Sequence, residues 1–436
     1  MGIYNRRYET LSKGEIEQIQ IERLKNTVER VFKNVSFYQN KMKTRDITPK
    51  DIVELKDIEK LGFTTREDLS YNYPYGLFAV PLKDIVRINS TSGITGKPTV
   101  VGYTKTDLGL WVELLSRLYV ASGVTANDIV QLSFVYGLAN WGRSMRVAAE
   151  NIEASVIPMS AMSHEKEVMI MSDYKTTCIV STPSSLLHVI KLLPEIEIKP
   201  KDFALKKGIL VSESLLPVDR ETIEKKLKIK VSTAYGIPEA MGPGIAYECE
   251  KGRMHIAEDH FIVEVIDPKT EEVMGRGEEG ELVVSTITTK AYPLIRFRTG
   301  DISTILPEDT CPCGRNLLSI EIPMKRTDDV LSVRGVKVYP SQIEKIIADN
   351  LKETPPFAIV HHKVKELDEI DIFIVGVESL FSDEVKILEA MISSIKDDLL
   401  EILGIRAAVK LVEHITMEEI RKSNKDVIFF DNFDNK

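Results

Sequence analysis

The stretch from residue 88 to residue 107, Ile-Asn-Ser-Thr-Ser-Gly-Ile-Thr-Gly-Lys-Pro-Thr-Val-Val-Gly-Tyr-Thr-Lys-Thr-Asp, constrains the fold more than any other. Of the eight residues from Ser90 to Lys97, six are Ser, Thr or Gly. β-Branched residues dominate both flanks, 84–89 and 99–103, so the spacing predicts a strand–loop–strand turn. The hydroxyls of Ser90, Thr91, Ser92 and Thr95, the open backbone at Gly93 and Gly96, and the Lys97 ammonium suit a polyphosphate tail. This is not the phosphate loop of the common NTPases. That loop needs four residues between its glycines and a Ser or Thr after the lysine, whereas here Pro98 follows Lys97.

At 436 residues the chain exceeds one ordinary domain. A net charge of −9 argues against nucleic acid as its main partner, because a phosphate backbone demands a basic face. The basic cluster at 25–33 alternates with Glu22 and Glu29 and reads as a solvated helix face. No run approaches the roughly 18 apolar residues of a membrane span. The first residues carry no apolar signal core, and Arg6 stands where a myristoylation signal wants Ser or Thr. A cytoplasmic enzyme without a membrane partner is expected.

Along the chain, residues 12–42 read as one long amphipathic helix, opened by Ser12 with Glu15 three residues on. Short apolar strands at 129–134, 154–159, 177–181 and 208–211 alternate with helical stretches. That rhythm predicts an α/β domain with parallel strands and helical crossovers. Between 261 and 285 the texture changes to alternating strands around a turn, predicting an antiparallel β subdomain. A boundary is expected between 327 and 328. Residues 328–436 then form a small α+β domain, with strands at 356–361 and 370–377 and helices at 341–350 and 383–400.

Three further segments carry chemistry. In Tyr235-Gly236-Ile-Pro-Glu239, a planar ring can stack on a base while a carboxylate three residues after the glycine can bind Mg²⁺ on a triphosphate. In Arg296-Phe-Arg-Thr-Gly-Asp301, a carboxylate after a glycine can accept from both hydroxyls of a ribose. The third is the long run Lys325-Arg326-Thr-Asp328-Asp-Val-Leu-Ser-Val-Arg334-Gly335-Val-Lys-Val-Tyr-Pro-Ser-Gln-Ile-Glu344.

In this order, the loop and the three segments resemble the adenylate-forming enzymes, in the form used by phenylacetate–CoA ligases, and the likeness covers essentially the whole chain. The resemblance implies a large adenylation domain over 1–327 that binds ATP and an acid, and a small mobile lid domain over 328–436. It also implies the reaction. A carboxylate attacks the α-phosphate of Mg·ATP to give an acyl-adenylate and pyrophosphate; the lid turns, and the coenzyme A thiol displaces AMP. By the same resemblance Ser212 and Glu213 lie at the adenine edge, Arg326 reaches the ribose and Asp328 is the pivot. Gly335 lines the thiol tunnel, and a homodimer is implied.

Of four cysteines, Cys311-Pro-Cys313 is a tight pair and Cys249 lies upstream, with His255 six residues later. Three thiolates and one imidazole are enough for a closed tetrahedral zinc site, which would be structural rather than catalytic. His260 is an alternative ligand, and a reducing cytoplasm disfavours a disulfide. Some phenylacetate–CoA ligases carry the same arrangement. Such a zinc would pin the loop before the hinge to the antiparallel subdomain. Cys178, in an apolar run, reads as a core residue.

The chain departs from the family pattern in three places. Ile94 replaces a Thr of the phosphate loop. Near the C-terminus, Arg421-Lys422-Ser-Asn-Lys425 stands where the family has Arg-Ser-x-Gly-Lys. Lys425 is the candidate adenylation lysine, with Lys422 as fallback and a solvated tail lysine as the other reading. In the acid pocket, Tyr136-Gly137-Leu-Ala-Asn140-Trp141-Gly-Arg143 carries an indole and a guanidinium in place of small residues. Either the acid is smaller than phenylacetate or bears a second polar or anionic group held by Arg143, or Arg143 and Arg146 lie on an exposed helix face. The expected activity is an ATP-dependent carboxylate–CoA ligase for an aromatic or related small acid. Two rivals remain: an adenylating enzyme with another acceptor (a carrier protein or a coenzyme hydroxyl), and a non-catalytic nucleotide-binding relative.

Overall fold

The computed structural model describes residues 2–91, 98–134, 141–159, 163–307, 311–327, 331–334, 336–351, 355–364, 367–375, 385–413, 416–417, 419–420 and 427–430. These residues divide into two compact units, one of residues 2–91 and 98–327, the other from 331 onward.

An eight-stranded sheet lies at the centre of the first unit. Its parallel part runs, in spatial order, Ser155–Met159, Ile129–Ser133, Cys178–Ser181, Lys207–Leu210 and Lys230–Tyr235. Helices Trp141–Asn151, His164–Asp173, Pro183–Leu192 and Pro217–Leu227 make the crossovers. Because helices cover the sheet, its strands are apolar runs; every residue of Cys178–Ser181 is buried. The buried amide of Gln131 is satisfied, accepting from Thr176 Oγ1 at 2.8 Å and donating to the Glu167 carbonyl at 3.2 Å. Local capping sets the helix starts. At Pro183, the Thr182 hydroxyl accepts from the Ser185 N–H and the proline fills the first helical position.

Beyond Lys230–Tyr235 the sheet turns antiparallel through Ala246–Glu248, Met254–Ile256 and Ser319–Ile320. A second, four-stranded antiparallel sheet follows the order Phe261–Ile266, Glu279–Thr286, Phe297–Thr304, Lys325–Arg326, with Asp301 opposite Arg326. A hairpin pairs Arg87–Thr91 with Thr99–Tyr103, the predicted flanks of the Ser/Thr/Gly loop.

The long N-terminal helix is two. Lys13–Asn34 begins at the predicted capping box of Ser12 and Glu15, but Val35 is extended and a second helix occupies Ser36–Thr44. Val35 is buried at the break. The four strands expected in the parallel sheet and those expected near 261 and 285 are present. The segment Ser319–Ile320, absent from the sequence reading, pairs with Met254–Ile256.

The second unit holds a hairpin, Leu331–Val333 with Val336–Val338, and a four-stranded sheet. That sheet runs Ala407–Val412, Leu367–Val375, Phe357–Val364, Val427–Phe430, its first pair parallel and the others antiparallel. Helices Pro340–Leu351 and Val385–Leu403 pack Ile343, Ile347, Ile395 and Leu399 against Phe357, Ile359, Ile370 and Ile372. Among the described residues, no helix is long and apolar enough to cross a membrane.

Candidate active site

Parallel sheets bind ligands at the carboxyl ends of their strands, where the chain leaves toward the next helix. Here those ends present Ser133, Ser181, the Val211-Ser212-Glu213 segment and Tyr235. Ser212 sits at φ +74°, a left-handed conformation unusual for serine. Glu213 turns back to the start of the preceding helix Pro183–Leu192, its carboxylate accepting from the Ser184 N–H at 3.0 Å and hydroxyl at 2.8 Å.

Tyr235 closes its strand and Gly236 must follow it. A Cβ at 236 would meet the Gly242 and Pro243 Cα atoms at 2.7 and 2.8 Å, backbone that cannot yield. The turn then delivers Glu239, 4% exposed, on a short 3₁₀ segment, Pro238–Ala240. One of its oxygens, Oε1, accepts from Arg66 Nη1 at 3.1 Å. The other, Oε2, is buried and has no hydrogen-bond partner among the described residues. Across the site the Tyr235 hydroxyl donates to Asp301 Oδ2 at 2.8 Å, and the Arg326 guanidinium donates to Asp301 Oδ1. Burial, and then the Asp301 charge, holds the Tyr235 phenol well above its usual range. The Thr299 carbonyl accepts from both Arg326 (2.9 Å) and Arg66 (2.8 Å). Tyr235, Asp301, Arg326, Thr299, Arg66 and Glu239 therefore form one continuous polar chain.

Ser90 and Thr91 end the strand that leads into the phosphate loop, and the buried Thr91 hydroxyl has no partner among the described residues. Ser92, Gly93, Ile94, Thr95, Gly96 and Lys97 lie outside the described residues, as do Tyr136, Gly137, Asn140, Asp328, Gly335, Lys422 and Lys425. Trp141 and Arg143 fall in the first turn of Trp141–Asn151, with the indole 4.5 Å from the Phe134 ring. Arg146 lies exposed and pairs with Glu150 at 2.7 Å. Arg143 is exposed as well, as the reading of a solvated helix face expects, and has no carboxylate partner among the described residues. Its charge, after burial, pulls down the pKa of Arg87, whose Nη1 donates to Ser144 at 2.9 Å.

Cys249, His255, Cys311 and Cys313 are all buried, and their ligand atoms lie within 4.8 Å of one another. A tetrahedral zinc with ~2.3 Å bonds to sulfur and ~2.0 Å to nitrogen has edges of ~3.8 Å between sulfurs and ~3.6 Å from sulfur to nitrogen. Cys249 Sγ to Cys311 Sγ is 3.7 Å, and Cys313 Sγ to His255 Nε2 is 3.4 Å. His255 Nδ1 faces the Leu317 carbonyl at 3.4 Å and the Ser319 hydroxyl at 3.3 Å, which leaves Nε2 for the cluster. The Cys249 thiol is pushed up, first by its hydrogen bond with Cys313, while the same bond pulls the Cys313 thiol down. Thiols packed this way share charge poorly; a dication would let them ionise together. His260 stands apart, with Nε2 2.9 Å from Asp259 and Nδ1 3.0 Å from Thr288. The cluster ties the 311–313 loop to the antiparallel end of the main sheet, not to the second sheet as expected, because Cys249 directly follows the strand Ala246–Glu248 and His255 lies in its hairpin partner Met254–Ile256. Cys178 is a core residue, its thiol pushed up to about 12 by burial.

The AMP-binding enzyme family matches residues 23–291, and the AMP-binding enzyme C-terminal domain matches 335–432. The phenylacetate-coenzyme A ligase of Aromatoleum evansii is 36% identical over 415 residues, 94% of this chain and 93% of the relative. The chain belongs to the phenylacetate–CoA ligase family of adenylate-forming enzymes. The Escherichia coli (strain K12) phenylacetate-coenzyme A ligase is also 36% identical, over 84% of this chain and 83% of its own length. A solved 2-hydroxyisobutyryl-CoA ligase has the same fold, with a TM-score of 0.86 at 24% identity, covering 93% of this chain and 88% of that one.

Within this family member, sequence reasoning missed Arg66 and Arg87. Thr65 to Asp68 is a legible capping box that announces a helix at Arg66. Nothing local says that the guanidinium reaches residue 239, 173 positions away.

Proposed function

We propose that the acid activated here is aromatic or a related small carboxylic acid, of the phenylacetate class, and that the residues assembled above serve its adenylation. The chain is an ATP-dependent acid–thiol ligase. It joins a carboxylic acid to ATP as an acyl-adenylate, releasing pyrophosphate, and passes the acyl group to coenzyme A with release of AMP. The observation that carries the site assignment is the unpartnered buried Glu239 Oε2, at one end of a polar chain that runs through Arg66, Thr299 and Arg326 to Asp301 and Tyr235.

In this reading Asp301, ordered by Tyr235 and Arg326, accepts from the ribose hydroxyls, and the backbone at Ser212, Glu213 and Gly236 borders the adenine. Ser90 to Gly96 and Lys97 cradle the phosphates. Glu239 would hold Mg²⁺, whose charge would screen the leaving pyrophosphate. Lys425 contacts the carboxylate and α-phosphate, Asp328 is the pivot of the 328–436 lid on the 1–327 domain, and Gly335 lines the thiol path. Tyr136, Gly137, Trp141 and Arg143 shape the acid pocket. Cys249, His255, Cys311 and Cys313 would hold a structural zinc, so one zinc per chain is expected by metal analysis, and removing it with a chelator should loosen the 311–320 segment. Four free thiols suit a reducing, cytoplasmic setting. A homodimer is what the family likeness implies.

Pyrophosphate release from Mg·ATP, measured over aryl, indolyl, short aliphatic and dicarboxylic acids with and without coenzyme A, tests the reading. Release that coenzyme A accelerates for an aryl or small acid is expected. Release indifferent to coenzyme A would point to another acceptor and overturn the thiol assignment.

A further inference from the structure

Arg66 is held where it is by unusually dense stitching for a residue so far from the sheet in sequence. Thr64 forms a parallel bridge with Phe297, donating to the Arg296 carbonyl at 2.9 Å and accepting from the Arg298 N–H at 2.9 Å. Thr65 then caps the helix Arg66–Tyr71, with its N–H donating to Asp68 Oδ2 at 2.9 Å. Lys41 in turn bridges to Asp68 at 3.3 Å. The guanidinium leaves this anchored turn across the ring of Phe297, 5.7 Å from its centroid, and its side chain is only 10% exposed.

We propose that Arg66 is a positioning residue for the metal-binding carboxylate, an inference that rests on the reading of Glu239 as the Mg²⁺ ligand. The fork of the guanidinium spends Nη1 on Glu239 Oε1 and Nη2 on the Thr299 carbonyl. Two bonds from one rigid plane fix the Glu239 side chain in a single orientation, with Oε1 occupied and Oε2 presented to the site. A buried carboxylate without a cation is costly, and one whose two oxygens both face a guanidinium fork presents fewer free lone pairs to a metal. A half-gripped carboxylate avoids both outcomes. Because the same Thr299 carbonyl accepts from Arg326, which holds Asp301, the grip also fixes the spacing between the metal end and the ribose end of the nucleotide. A lysine at 66 offers a point charge rather than a fork. It could reach Glu239 or Thr299 but would not bridge them in one plane.

The test measures ATP binding by calorimetry without any acid, so that no turnover occurs, in EDTA and in saturating Mg²⁺. The readout is the factor by which Mg²⁺ tightens ATP. Arg66→Met should cut that factor about tenfold while leaving affinity in EDTA nearly unchanged, and Arg66→Lys should restore part of it. In the Glu239→Gln background, where the factor is already lost, adding Arg66→Met should remove nothing more. Equal weakening with and without Mg²⁺ in both Arg66 variants would overturn the proposal in favour of a direct phosphate contact. An unchanged Mg²⁺ factor in Arg66→Met would overturn it in favour of a packing role. A Mg²⁺ factor that survives Glu239→Gln would instead sink the underlying reading of Glu239. Thermal unfolding of each variant checks folding, and Arg66→Lys keeps the question answerable if Arg66→Met does not fold.

Discussion

Two buried arginine–glutamate pairs lie close to the same strand, Phe297–Thr304, and differ in one respect. Arg296 grips Glu264 through both oxygens, Nε to Oε2 at 3.1 Å and Nη2 to Oε1 at 2.8 Å, and its Nη1 donates to the Glu59 carbonyl at 3.0 Å. Its plane also covers Phe63 at 4.0 Å. Arg66 grips Glu239 through Oε1 alone and leaves Oε2 without a partner among the described residues. The residue types and the burial are nearly the same. What separates the two pairs is completeness: one guanidinium holds both oxygens of Glu264, whereas Glu239 keeps one buried oxygen that Arg66 does not hold and that a cation can take.

The sharpest way to break this contrast is to exchange the consequences of mutation. Arg296→Ala should leave the Glu264 carboxylate buried and unpaired, costing about 3–5 kcal/mol of stability in denaturant unfolding. Enzyme that remains folded should keep its Mg²⁺ dependence. Glu239→Gln should behave in the opposite way, with stability falling by only about 1 kcal/mol because Gln Oε1 can still accept from Arg66. Adenylation, followed as pyrophosphate release, should fall about 10²–10³-fold, the scale of losing one preorganised electrostatic contact. If Glu239→Gln unfolds the protein while Arg296→Ala leaves stability intact, completeness is not the distinction that matters.

The legibility of these two pairs in the sequence was unequal for a physical reason. Glu239 announces itself through a strand-end Tyr-Gly turn, and Asp301 through the Thr-Gly before it, because both depend on local backbone geometry that only certain residues permit. Cys249, His255, Cys311 and Cys313 are legible likewise: each pair is close in sequence, one across a hairpin and one within a turn, and the chemistry of three thiols and an imidazole restricts what they can do. Arg66 and Arg87 carry no such mark. Their partners are fixed by tertiary packing across 173 and 57 positions respectively. Strand periodicity gave the parallel sheet correctly because helices on both faces impose apolar runs. The break at Val35 was hidden, since its N–H still reaches Val31 as in a helix while its backbone turns extended. The two-residue strand Ser319–Ile320 is too short to have a period at all.

A third buried glutamate extends the contrast to no guanidinium contact. Glu258 is 5% exposed, and the one hydrogen bond its side chain makes among the described residues is accepted from the Leu318 N–H at 2.6 Å. Burial, the largest cause, pushes its carboxyl up to about 7, against partial relief from the Leu318 N–H and the more distant Arg276 charge. The sign follows from linkage. Between 4.5 and about 7 the folded chain holds a proton at Glu258 that the unfolded chain has released, so this group's contribution to stability falls as pH rises through that window. At about 1.4 kcal/mol per pH unit the full loss is at most roughly 3 kcal/mol. Glu258→Gln, which keeps an acceptor for Leu318 without a charge, should flatten that part of the profile. The difference between wild type and variant, taken from urea unfolding at pH 5 and pH 7.5, isolates Glu258 from carboxylates such as Asp259, whose pKa is depressed beside His260 and Arg117. Equal slopes in the two proteins would mean that water reaches Glu258 and that its burial costs nothing. The ranking of the three glutamates by their guanidinium contacts would then stop at two.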